Sequence, residues 1–125
     1  MDWLSEEEEC VLVNAREMSP LWALLADWTE SEDQGEWMHF EPVFAEIVER
    51  WSALDYVDVY IGPAWPAHES GYRARKEDVP GILSDHGSWQ YPERPGRVIS
   101  LLPGERSGEI YSPDTYRGGA RRRGA

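Results

Sequence analysis

Three histidines, one cysteine and 24 carboxylates are the side chains of this 125-residue chain that could ligate a metal, attack a carbonyl or move a proton. A zinc site needs His, Cys or carboxylate ligands that converge at short spacing. His39, His68 and His86 lie in separate segments, so no metal is expected. Cys10 follows four glutamates, whose charge raises a thiol pKa and suppresses its nucleophilicity; a buried structural cysteine is the expectation. Carboxylate pairs such as Asp55 and Asp58 carry little weight among so many acids, because acid–base pairs need a pocket and pKa values pushed apart. The chain has no GxGxxG, Walker A, HExxH, GxSxG or CxxC pattern. The expectation is a protein that is not an enzyme and uses no cofactor.

Charge and aromatic side chains offer a different chemistry, that of binding. The formal net charge is −12. Residues 1–60 hold 16 acids against Arg16 and Arg50, whereas residues 61–125 hold 8 acids and 10 bases. Such a field repels phosphate backbones and attracts basic partners. Glu41, Glu46 and Glu49 fall on or near the polar side of the most regular helical segment, and Glu32, Asp33 and Glu36 precede it. Seven tryptophans are many for this length. Trp22, Trp28 and Trp51 occupy helical positions that suit packing. Trp65 in the Pro-rich stretch Pro63-Ala64-Trp65-Pro66, and Trp89 and Tyr91 in Trp89-Gln90-Tyr91-Pro92, are either tucked onto the core or presented as anchors; packing is the favoured reading, with Trp65 the better anchor candidate of the three. The candidate partner-binding residues are therefore Glu32, Asp33, Glu36, Glu41, Glu46, Glu49 and Trp65.

Those side chains must be carried by definable elements. Ser5 with Glu8 forms a capping box, starting a helix that should reach about Asn14. Val11-Leu12-Val13 leaves a short strand as the alternative there. Ser19 as N-cap and Pro20 at the first helical position open a second helix with Leu21, Trp22, Leu24, Leu25 and Trp28 on its apolar face. The acidic run 30–36 should end it in a loop. Phe40, Val43, Phe44, Ile47, Val48, Trp51 and Leu54 keep helical spacing, so a third helix begins near His39–Glu41, with Pro42 in its first turn. Residues 56–61 alternate as a half-buried strand, and 98–102 (VISLL) read as its antiparallel partner. The long insertion 63–95 should hold one or two helical turns near 78–85, with Gly87 as a C-cap and Trp89 closing back on Ile82 or Leu83. The tail 117–125 (RGGARRRGA) is expected to be disordered.

This gives an α+β domain over 1–116: three N-terminal helices, then a two-stranded antiparallel ribbon with a long insertion. The order, with the Pro20-Leu21-Trp22 helix, the Arg50-Trp51-Ser52-Ala53-Leu54 helix end and Trp89 before the return strand, resembles small, mostly uncharacterised winged-helix-type proteins of high-GC bacteria. The resemblance implies a winged-helix-like fold. A DNA-reading winged helix presents Arg, Lys, Asn or Gln on its third helix; here that face offers three glutamates and one arginine.

No apolar run approaches a membrane span, the acidic start lacks a basic leader, and a lone cysteine suits a reducing compartment, so a cytoplasmic location is expected. The expected function is a protein-binding module whose acidic surface engages a basic protein partner. An immunity or inhibitor protein blocking a basic toxin or a nucleic-acid enzyme is one form, and a regulatory adaptor is another. The alternative is a transcription regulator that uses the ribbon and the Arg tail on DNA.

Overall fold

The protein, a computed structural model describing residues 4–91 and 97–110, starts with the helix that its capping box dictates. In α1 (Glu6–Arg16) the Glu8 backbone N–H donates to Ser5 Oγ, and the Ser5 N–H donates back to Glu8 Oε1, each at 3.0 Å. Four glutamates in its first turn suit the positive end of the helix dipole. Val11, Leu12 and Val13 are helical and buried, so the strand alternative fails: the cap and the packed apolar face override their β-branched preference.

Helix α2 (Leu21–Thr29) begins one residue later than expected. Pro20, not Ser19, is its N-cap, and no side chain caps it, because Ser19 and Pro20 stay extended against a strand. The acidic run after it is not all loop. Asp33 accepts the Gly35 N–H at 2.8 Å and starts a single turn, α3 (Gln34–Trp37), which passes through a 3-10 turn into α4 (Glu41–Ala53). Phe44, Ile47, Val48 and Trp51 are buried on α4, whereas Val43 and Leu54 stand at the margin of its apolar arc and are exposed.

Strands β1 (Val57–Gly62) and β3 (Val98–Pro103) pair antiparallel, with Val59 opposite Leu101. The sheet has three strands, not two. The extra one, β2 (Tyr72–Arg73), lies in the insertion on the far side of β1, in the order β2-β1-β3. Two residues without alternation carry no strand signal of their own; pairing with Tyr60 and Ile61 defines them. On the opposite edge, Pro20 bridges Ser100, and the Leu101 N–H donates to the Ser19 carbonyl at 3.0 Å.

One sheet face, with Val57, Val59, Ile99 and Leu101, closes a core against α1, α2 and α4. The insertion adds α5 (Ala67–Ser70) and α6 (Val79–Ser84). Trp89 is fully buried, and its indole N–H donates to the Leu83 carbonyl at 2.8 Å. Gly87 is not a C-cap: Asp85 ends α6, and Gly87 lies inside the following 3-10 turn, donating to the Asp85 carboxylate. Cys10 is fully buried between α1 and α2, beside Asn14, which donates to the Cys10 carbonyl at 2.9 Å and to Asp27 Oδ2 at 3.0 Å. No helix among the described residues is long and apolar enough to cross a membrane. The tail 117–125 lies outside the described residues, as do positions 111–116 of the expected domain.

Candidate functional site

Trp65 is 53% exposed, and Tyr91 is 52% exposed. Both border one open groove of about 330 Å³ whose lining, among the described residues, is almost wholly apolar: Pro20, Trp22, Ala23, Trp65, Tyr91 and Val98. Local structure explains how these residues meet. Chain reversal between α1 and α2 puts Met18 at a φ of 61° and turns its carbonyl outward. The Trp65 indole N–H donates to that carbonyl at 2.8 Å, which fixes the ring over the Ser19–Pro20 segment. Trp22 meets Tyr91 edge-on with centroids 4.7 Å apart, and stacks on Trp37 at 6.2 Å. The groove is thus walled by aromatic rings from three separate stretches of chain and floored by the start of α2.

The acidic turn adjoins this groove. The Tyr91 N–H donates to Gln34 Oε1 at 3.2 Å, and Trp37, three residues further along the same turn, supports Trp22. Trp37 is pinned by its own indole N–H to the Ser31 carbonyl at 2.9 Å. Asp33 and Glu36 belong to this turn, and Glu32 precedes it, exposed. The turn that carries these acids thus touches groove residues through Gln34 and Trp37, while none of the acids is among the groove's described lining residues.

The glutamates of α4 have other company. Glu41 is largely covered and pairs with His86 Nδ1 at 2.8 Å, tying α4 to the turn after α6. Glu46 pairs with Arg50 at 2.9 Å, and the Arg50 hydrogen bond holds its carboxyl below the usual glutamate range. Arg50 also reaches Glu8 of α1 at 3.1 Å. Glu49 is exposed near the outermost line of the helix. Two of the three expected acidic contacts on this helix are thus already engaged within the chain, and Glu41 sits on its flank rather than its outer face.

The Asp55 and Asp58 carboxylates, discounted in sequence, do share a cleft of about 420 Å³ with Arg73, Lys76 and Glu105. Their pKa values move apart. Burial pushes Asp58 up, against the pull of Arg73 at 3.8 Å. The Lys76 hydrogen bond at 2.6 Å holds Asp55 down. Each carboxylate has its own cation from β2 or the turn after it. This is the pattern of an ion-pair lattice joining the insertion to the α4–β1 corner. Among the described residues, no three His, Cys, Asp or Glu side chains gather where they could hold a metal ion.

Sequence reasoning assigned Trp22 to packing, and Trp22 does pack, half-buried, against the core; what that reading did not give is that its ring also reaches the groove. A signal existed. At about 100° per residue, Trp22 lies roughly 110° from the centre of the arc formed by Leu21, Leu24, Leu25 and Trp28. Pro20 and Val98 gave no such signal. Compared with known proteins, the chain matches no family model, no curated protein and no solved structure.

Proposed function

We propose that this protein is a non-enzymatic, winged-helix-like binding module of the cytoplasm whose acidic surface engages a basic protein partner, as an immunity or inhibitor protein or a regulatory adaptor does. The observation that carries the reading is the half-exposed Trp65 and Tyr91 on an apolar groove beside the Glu32–Asp33–Glu36 turn. Rigid aromatic anchors flanked by charge are what protein interfaces use for energy and for steering. The winged-helix comparison is supported by element order and by the Ser19–Pro20 segment, which adds to the β3 edge between α1 and α2. Against the DNA alternative stand the Glu46–Arg50–Glu8 pairing, which engages the one arginine of the α4 outward face, and the exposed Glu49 beside it.

The test begins with crosslinking in the source cell, identification of the partner and association kinetics at two salt concentrations. The wild type should bind a basic protein faster at low salt, and Glu32→Lys with Glu36→Lys and Glu49→Lys should slow association about tenfold while folding is retained. Equal, salt-independent rates for both proteins would refute the acidic surface as a partner site. Duplex DNA bound at about 10⁻⁸ M or tighter at physiological salt would establish the alternative.

A further inference from the structure

We propose that the cleft between the α4–β1 corner and β2 binds a free α-amino acid, with its ammonium at Asp58 and its carboxylate at Arg73. This goes beyond the partner-binding reading, whose residues lie elsewhere, and does not depend on it. The cleft measures about 420 Å³, and Ser52, Asp55, Asp58, Arg73, Lys76 and Glu105 are among its lining residues. Charges of both signs meet there, but they are not equally satisfied. Lys76 Nζ lies 2.6 Å from Asp55 Oδ1, and Arg75 Nε donates to Asp78 at 3.2 Å. Those pairs are closed. Arg73 Nη1 stays 3.8 Å from Asp58 Oδ2, too far for a hydrogen bond. Among the described residues neither the Arg73 guanidinium nor the Asp58 carboxyl makes a hydrogen bond, although the Asp58 side chain is only 19% exposed. A guanidinium and a largely covered carboxyl thus stand side by side with their bonding capacity unused.

Ser52, in the last turn of α4, adds another unmet group. It is 5% exposed and lines the cleft, and among the described residues its hydroxyl has no hydrogen-bond partner. Buried polar groups are nearly always paired, so a covered, unbonded hydroxyl on the wall of a polar cleft is a place for a ligand atom. Asp58 is unsettled as well. Burial pushes its carboxyl up, and the nearby Asp55 and Glu105 push the same way, against Arg73 and Lys76. A cation placed on it would relieve that penalty. An ammonium brings three donors, enough for Asp58 and Ser52, and a carboxylate accepts from the guanidinium fork. An α-amino acid carries both groups on one carbon, the short spacing that a pair 3.8 Å apart requires. A phosphate would face Asp55, Asp58 and Glu105 together with Arg73, and a nucleobase would find no aromatic ring among the described lining residues.

The probes are the free amino acids and, for the tightest binder, the matching amine without a carboxylate and the matching 2-hydroxy acid without an ammonium. Calorimetry on the full chain at physiological salt reads affinity, and the amide chemical shifts of Ser52, Asp58 and Arg73 place the ligand. At least one amino acid should bind with a Kd of about 1 mM or tighter, and each analogue should bind about tenfold more weakly or worse. Asp58→Asn and Arg73→Gln should each weaken binding about tenfold. Asp58→Asn should at the same time raise the urea midpoint at neutral pH, which separates a lost ligand contact from a lost fold. If no amino acid binds, or if both variants bind as the wild type does, the proposal fails. If the amine alone binds as well as the amino acid, the cleft takes a simple cation and the proposal fails. If amino acids bind only after Arg121, Arg122 and Arg123 are all replaced by alanine, the chain's own tail is the occupant and the proposal fails.

Discussion

Replacing Phe44 by alanine tests the element on which the rest of the fold leans. Phe44 is fully buried on α4, and its ring meets Trp28 of α2 edge-on with centroids 5.4 Å apart. Phe-to-Ala changes at buried positions cost about 3–5 kcal/mol through lost transfer energy and the cavity left behind. An aromatic pair of this geometry contributes roughly 0.5–1.5 kcal/mol beyond burial. Trp28 also meets Phe40, with ring centroids 6.4 Å apart, so it keeps a ring contact and the loss should fall near the middle of that range, about 4 kcal/mol. Val43, one residue earlier, is exposed and supplies the control: Val43→Ala should stay within about 0.5 kcal/mol, as surface changes do. Urea unfolding followed by tryptophan fluorescence reads both. With a slope of about 1–3 kcal/mol per molar, Phe44→Ala should lower the midpoint by more than about 1 M. A loss below about 1 kcal/mol, or equal losses at Phe44 and Val43, would refute the buried face assigned to α4.

Trp89→Phe keeps an aromatic ring but leaves the Leu83 carbonyl without its donor; a loss of about 1–3 kcal/mol is expected in the same unfolding assay. Gly104→Ala should destabilise strongly, because a Cβ there would run into the backbone of Asp55 and Tyr56, while Gly108→Ala, with open space around it, should be nearly neutral; thermal unfolding separates the two. Burial raises the Asp58 pKa in the folded state, so its ionised form opposes folding above that pKa, and the opposition is gone below the unfolded value. Asp58→Asn should therefore stabilise at neutral pH, with the gain fading as pH falls through the carboxylate range, as measured by urea midpoints across pH. Asp55→Asn should do the opposite: Lys76 lowers its folded pKa, so the stability it contributes is present above the unfolded value and is lost as pH falls through the folded one.

The elements that could be read from the chain alone are those whose determining interactions are local. The Ser5–Glu8 box closes within three residues, and the α4 pattern repeats every turn, so sequence spacing and spatial neighbourhood coincide. The alternation of β1 and the apolar run of β3 announce two strands for the same reason. Tyr72–Arg73 could not be found this way, since only its pairing across β1 makes it a strand. Nor could the start of α2, where the Ser19–Pro20 segment is held by a strand some 80 residues on. The charges tell the same story. Composition determined that the first half is acidic, but folding chose which acids are paired: Glu41 with His86 and Arg50 with Glu8 are contacts between residues more than 40 positions apart. Trp65 could be singled out from its local, Pro-rich setting, and it is half-exposed. That it meets Trp22, Tyr91 and Val98 at one groove is a tertiary decision, made where the Met18 carbonyl captures its indole and where Trp22, half-buried against the core, meets Tyr91 edge-on.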